Sequence, residues 1–176
     1  MPRVSSFPPV AGRGARALIL GSMPGAASLA AGRYYAHPGN SFWRIVSDVF
    51  SDGGPLPYAA RLRLLKENHV ALWDVLASCL RKGSADSSIK SCSVRVNDIR
   101  SFLAAHPGVK NVWFNGSKAE EYFLKRVLPS LGPRAAGLKL GRLPSTSPAH
   151  ASWPYARKLA AWRRALLPPA AGAPRA

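Results

Sequence analysis

Four short apolar runs, each closed by glycine, proline or a small polar residue, constrain this 176-residue chain more than any other feature. Ala17 to Leu20, Val70 to Trp73, Asn111 to Phe114 and Leu138 to Leu143 have the length and apolar continuity of strands buried on both faces. Helical spacing of apolar residues marks the segments around them: Ser41 to Phe50, Tyr58 to Asn68, Asn97 to His106, Ser117 to Val127 and Trp153 to Leu167. Asn97 reads as an N-cap, and Ser117 followed three residues later by Glu120 has the capping-box spacing. Strands that alternate with helices need crossover connections, which predicts an α/β fold: one domain, three αβα layers and a short, mainly parallel four-stranded sheet. The length suits a single core, placed at residues 13–167. The first dozen residues and residues 168–176 are rich in Pro, Ala, Gly and Arg, and both are expected to be flexible. No internal repeat is present.

The punctuation falls just after each strand: Gly21-Ser22-Met23-Pro24-Gly25, then Asp74, then Asn115-Gly116, then Pro144-Ser145-Thr146-Ser147-Pro148. Carboxyl ends of parallel strands converge on one edge of a sheet, where such folds bind ligands. A site built from these four loops is therefore expected.

The segment Gly21 to Trp43, GSMPGAASLAAGRYYAHPGNSFW, is too long and too rich in Gly, Pro and aromatics for an ordinary connection. Gly21 and Gly25 allow close backbone approach to a ligand, and Tyr34 and Tyr35 offer faces for stacking. Asn40 reads either as a ligand contact or as the cap of the next helix. In Leu143 to Ala151, LPSTSPAHA, the hydroxyls of Ser145, Thr146 and Ser147 and the ring of His150 suit a phosphate, or a turn that caps the last helix. Asp74 sits among apolar neighbours and must be paired, with Arg81 or Lys82, or functional. Asn115 contacts a ligand or forms a turn.

Charge adds a partner class. Lys and Arg number 25 against 8 Asp and Glu, a formal net charge of +17. No acidic residue precedes Asp48 or follows Glu121, so Arg157, Lys158 and their basic neighbours stand in an unrelieved field. Such a field attracts polyphosphate and favours duplex binding by counterion release; a generic basic or lipid-facing surface is the alternative.

Several chemistries lose support. The Gly21 loop is neither a P-loop nor a dinucleotide fingerprint, Ser22 lacks a nucleophile-elbow context, and the zinc-deaminase pattern is missing. Cys79 and Cys92 have neither metal nor disulfide spacing, and His37, His69, His106 and His150 are scattered, so no metal and no cofactor is expected. No run approaches 18 apolar residues and the start lacks a signal-peptide core, which predicts a cytoplasmic protein without a membrane partner.

Taken together, GSMPG with YYAHPGNSFW, WDVLASCLRKGSADSSI, FNG and LPSTSPAHA resemble the uracil-DNA glycosylase superfamily, in particular its hypoxanthine-DNA glycosylase branch. The resemblance spans nearly everything from Leu18 to Trp162. It implies a monofunctional, monomeric DNA-repair enzyme that flips a deaminated base, foremost hypoxanthine, out of DNA and hydrolyses its N-glycosidic bond. Uracil or xanthine preference, or a non-catalytic DNA-binding role, are the alternatives. Met23 and Leu143 stand where several members carry an Asp or Asn and a His, and the branch's catalytic Asn falls on Asn40. The resemblance then assigns stacking to Tyr35 and the base to Ser22, Met23, Asp74 and Asn115. Contacts to DNA fall to Ser145, Thr146, Ser147, His150, Arg157 and Lys158.

Overall fold

The computed structural model describes residues 1–167; the expected flexible tail, residues 168–176, lies outside the described residues. In chain order the elements are β1 (Arg3–Ser5), β2 (Ala17–Gly21), α1 (Ala26–Ala31), α2 (Phe42–Phe50), α3 (Tyr58–Glu67), β3 (Val70–Asp74) and β4 (Leu76–Leu80). There follow β5 (Arg95–Val96), α4 (Ile99–Ala105), β6 (Asn111–Asn115), α5 (Ser117–Tyr122), β7 (Lys139–Leu143) and α6 (Tyr155–Leu166).

The four apolar runs form the central sheet in the order β3-β2-β6-β7, and every neighbouring pair is parallel. Strand alternation divides their side chains between two cores. Leu18, Leu20, Ala71, Val112 and Phe114 meet Ile99, Phe102 and Leu103 of α4 and Phe123 beyond α5. Ile19, Val70, Leu72 and Trp113 meet Phe42 and Trp43 of α2, Leu65 of α3 and Trp162 of α6. Helices thus cover both faces, giving the three αβα layers. Gly141 of β7 pairs with Trp113, and a Cβ there would meet the indole ring at 2.3 Å, so only glycine fits beside it.

Three features depart from the sequence expectation. First, the initial dozen residues are ordered: β1 pairs antiparallel with β4, Val10 and Leu72 exchange backbone hydrogen bonds at 2.8 Å, and the Trp73 indole donates to the Phe7 carbonyl. A second antiparallel sheet, β1-β4-β5, results, its partners far apart in sequence and therefore invisible to local composition. Second, α4 is capped by Asp98, whose side chain accepts from the Ser101 amide; Asn97 instead donates its side-chain N–H to the Asp74 carbonyl. Third, Ser117 and Glu120 form no capping box. Gly116, at φ 96, is the N-cap, and Glu120 pairs with Arg142 of β7 at 3.4 Å.

Candidate active site

The strand order reverses direction at β2, whose neighbours β3 and β6 were laid down on opposite sides. The loops after β2 and β6 therefore part and leave a crevice at the carboxyl edge. Gly21 ends β2 at this point, and a Cβ there would lie 2.5 Å from the Asp74 Oδ1 and 3.0 Å from the Tyr35 hydroxyl. Glycine lets the carboxylate and the phenol close on the backbone from two sides.

Asp74 is buried and meets no cation within ion-pair distance among the described residues; neither Arg81 nor Lys82 pairs with it directly. The Ser6 hydroxyl donates to its Oδ2 at 2.9 Å. Burial pushes the carboxyl up to about 7, the Ser6 donor opposes the rise, Asp86 adds to it and Arg81 again opposes it. With one oxygen held by Ser6 and the other against Gly21, Asp74 does not present an edge to a ligand.

Tyr34 turns into the core, and its carbonyl accepts the Trp43 indole N–H at 2.7 Å. Tyr35 alone of the two stays at the site. It holds a left-handed backbone, φ 52, which costs a non-glycine residue about 1 kcal/mol or more. Two contacts fix it there: its ring stacks on Phe42, centroids 4.0 Å apart, and its hydroxyl accepts from Asn115 Nδ2 at 3.0 Å. Burial, with Asp74 nearby, pushes the phenol's pKa up and keeps it neutral.

Asn115 is committed elsewhere as well. Its Nδ2 also donates to Thr146 Oγ1 at 2.9 Å, and its Oδ1 accepts the Thr146 amide at 2.9 Å. The Thr146 carbonyl in turn accepts the Ser41 amide at 3.0 Å. One amide side chain thereby ties the end of β6 to the loop after β7 and, through it, to the start of α2.

Asn40 is half-buried, and its Oδ1 accepts the Phe42 amide at 3.0 Å, a turn bond at the entrance to α2, whose N-cap is Ser41 rather than Asn40. It also borders a cavity of about 610 Å³ together with Tyr35, His37, Trp43, Arg44 and Arg61. Ser22, Asp74 and Asn115 do not line that cavity; they lie at the strand ends behind Tyr35.

The loop after β7 is more structural than its hydroxyls suggested. Thr146 is 1% exposed and its hydroxyl is used by Asn115, so it is no phosphate ligand here. Ser145 Oγ accepts the Ser147 amide and Ser147 Oγ accepts the Ala149 amide, both at 3.3 Å. Lys158 is buried rather than a surface cation: its Nζ donates to the His150 carbonyl at 2.7 Å, and burial pushes its pKa down. Arg157 is exposed, its guanidinium 3.9 Å from the Trp153 ring centroid. Ser147, His150, Trp153 and Lys158 line a smaller pocket of about 170 Å³ beside Gly39 and Ser41.

Sequence reasoning picked out the segment that follows β4 as part of a resembling block but gave no role to Ser84 or Asp86 within it. Residues 81–86 clasp the first loop at three points: Arg81 Nη2 donates to the Pro24 carbonyl, Ser84 Oγ accepts the Ala26 amide, and Asp86 accepts the Ser22 hydroxyl at 2.9 and 2.8 Å. Arg81 is 1% exposed, and its Nε and Nη1 find no acceptor among the described residues. Such a charge is tolerated only near opposite charge, here Asp74 and Asp86. Burial pushes the Asp86 carboxyl up, and the Ser22 donor and Arg81 hold it back. Besides the resemblance of the block, the signal within it was a pair of charges inside a serine-rich turn. Met23 joins the core rather than the site.

Among the described residues no three His, Cys, Asp or Glu side chains gather to hold a metal; Cys79 is buried and Cys92 exposed, both as free thiols. The arrangement offers a stacking ring, an amide beside a cavity, and a polar strand edge. This suits insertion and reading of a planar heterocycle.

The profile of the Uracil DNA glycosylase superfamily matches residues 8–168. A protein of Methanosarcina barkeri named hypoxanthine DNA glycosylase is 41% identical over 117 residues, 66% of this chain and 73% of its own. One of the same name from Methanosarcina acetivorans is 37% identical over 133 residues, 70% of this chain and 83% of its own. A solution NMR structure from Methanosarcina acetivorans, of a protein proposed to be a uracil DNA glycosylase, superimposes with a TM-score of 0.75 at 33% identity, covering 93% of this chain and 98% of that one. With a four-stranded parallel sheet between helical layers and a polar crevice at its switch point, the chain belongs to the Uracil DNA glycosylase superfamily.

Proposed function

We propose that this protein is a monofunctional DNA glycosylase that removes hypoxanthine from deoxyinosine in DNA, acting as a cytoplasmic monomer. The observation that carries the reading is the match to two proteins named hypoxanthine DNA glycosylase, at 41% and 37% identity. The geometry supports it. One face of Tyr35 is covered by Phe42, so a flipped base stacks on the opposite face.

Hydrolysis breaks the bond between C1′ and the base nitrogen as the sugar takes on oxocarbenium character. The bond electrons leave with the base, which takes up a proton. Water adds its oxygen at C1′ and loses a proton, leaving an abasic site. Asn40 is a neutral amide and a weak base, so its role is to orient the water or the sugar through its Nδ2 and the free lone pair of Oδ1. Stabilisation of the departing anion then carries much of the barrier reduction, with backbone N–H groups around Ser22 and Met23 as the donors.

The test is a duplex bearing one deoxyinosine, incubated with the protein and then treated with alkali. Nicking that depends on alkali is expected; nicking without alkali would mean a lyase. Uracil is the second reading, favoured by the likeness to the proposed uracil DNA glycosylase of Methanosarcina acetivorans. Duplexes with uracil or xanthine at the same position rank the three bases, and no cleavage of any of them refutes the glycosylase reading.

A further inference from the structure

The carboxyl edge of the sheet holds several polar side chains, and most are spent on the protein itself. Asp74 is buried between Ser6 and Gly21, and Asn115 uses both ends of its amide on Tyr35 and Thr146. Thr146 is buried and engaged. Ser22 and Asp86 differ. Both are half-exposed, and among the described residues the Asp86 carboxylate accepts only from the Ser22 hydroxyl.

The direction of that hydrogen bond limits what the pair can bind. Ser22 has one hydroxyl proton, and it points at the Asp86 carboxylate. The oxygen of Ser22 is left with lone pairs only, and the carboxylate has lone pairs only. The pair is therefore an acceptor-only edge that can take an N–H and repels a lone pair. Burial pushes the Asp86 carboxyl up, and the Ser22 donor and buried Arg81, anchored to the Pro24 carbonyl, oppose that rise.

We propose that Ser22 and Asp86 determine base specificity by accepting the ring N–H of a lactam, the N–H beside a carbonyl that deamination creates; the proposal rests on the glycosylase reading above. Hypoxanthine has such an N–H at N1, whereas adenine has a lone pair at that atom. Uracil and xanthine carry the same lactam unit, so one acceptor pair serves all three deaminated bases. Guanine shares the lactam too, and its exclusion falls to the cost of unstacking a well-paired base. Position is compatible with the assignment: Ser22 directly follows Gly21, against which the Tyr35 hydroxyl packs, so the edge begins one residue from the Tyr35 phenol, and a base would reach it by extending past the larger cavity toward the strand end.

The test compares two substrates, duplexes with deoxyinosine and with deoxynebularine, whose purine ring has a lone pair at N1 and no carbonyl. Wild type, Asp86→Asn and Ser22→Ala are each assayed for kcat/KM, with a thermal melt to establish folding. The expected result is a loss of about 100-fold on deoxyinosine for Asp86→Asn, with no loss on deoxynebularine, so that the preference between the bases shrinks by that factor. Ser22→Ala should shrink it in the same direction by a smaller factor. An equal loss on both substrates, or an unchanged ratio in folded protein, overturns the proposal and leaves the pair as a clasp between two loops. If Asp86→Asn does not fold, the Ser22→Ala ratio decides. Wild type inactive on every deaminated base would instead fail the glycosylase reading itself.

Discussion

At the scale of single residues, two side chains make opposite demands. Asn40 holds the first amide of α2 in a turn before the Ser41 cap while bordering the cavity, so one side chain serves both the helix start and the site. Asn40→Ala should lower turnover on deoxyinosine by about two orders of magnitude, the usual effect of losing one positioned catalytic group. The melt should fall by only the degree or few expected of a lost turn hydrogen bond. A folded variant with wild-type turnover would leave Asn40 as a turn residue alone. Asp74 makes the other demand. Unfolded, it titrates at its ordinary 3.8, and folded, at about 7. Between those values the native state holds a proton that the unfolded state lacks, so stability from this group is full below about pH 4 and is lost as pH rises to about 7. Asp74→Asn removes that loss. Paired melts from about pH 4 to about pH 8 should show the variant gaining on wild type, by up to roughly 4 kcal/mol for a shift of this size. A gap independent of pH would mean the carboxylate is solvated after all.

At the scale of elements, the parallel sheet and its helices were legible because each has its own periodicity: four apolar runs became β2, β3, β6 and β7 to within a residue or so. The ribbon β1-β4-β5 was not legible, because three strands of two to five residues carry no period of their own. β1 exists through pairing across some 75 residues, as Arg3 with Leu80, and β5 pairs with β4 across some 20, as Leu76 with Val96. The same limit applied to the site. Tyr35, Asn40 and the hydroxyl loop stood out as motifs, yet the partners that decide their roles are remote in sequence: Ser6 for Asp74, Asp86 for Ser22, Thr146 for Asn115. Lys158 looked like a surface cation although its acceptor, the His150 carbonyl, lies only eight residues away, because nothing in the residue types shows the amine folding back onto that loop. The ribbon also has a consequence for stability. A chain beginning at Phe7 loses β1 and leaves Asp74 without its Ser6 donor, which should cost about 1–3 kcal/mol. For a chain of this size that is a drop of roughly 3–10 °C in Tm, read by thermal denaturation. An unchanged Tm would show that β1 adds nothing to the fold.

At the scale of the whole molecule, the +17 charge is less free than the sequence suggests, because carboxylates and backbone carbonyls engage some of the basic C-terminal half. Lys125 pairs with Glu121 at 3.0 Å and Arg142 with Glu120 at 3.4 Å, while Arg163 donates to the Asp48 carbonyl. Lys158 is buried. Arg157 is exposed, its guanidinium over Trp153, which lines the pocket that the loop after β7 shares with the start of α2, so it is a cation placed to meet a phosphate. A phosphate contact has a signature that a packing contact lacks: it releases a counterion, and each contact adds about 0.9 to the slope of log affinity against log salt on duplex DNA. Arg157→Gln should therefore flatten that slope by about one and weaken binding most at low salt. Lys158→Gln breaks the tie to His150, so it should lower stability or affinity by a factor that does not change with salt. Titrations of both variants on one duplex across a range of salt separate the two roles. If Lys158→Gln flattens the slope and Arg157→Gln does not, the DNA path runs through the smaller pocket itself and Lys158 must leave its carbonyl to reach the backbone.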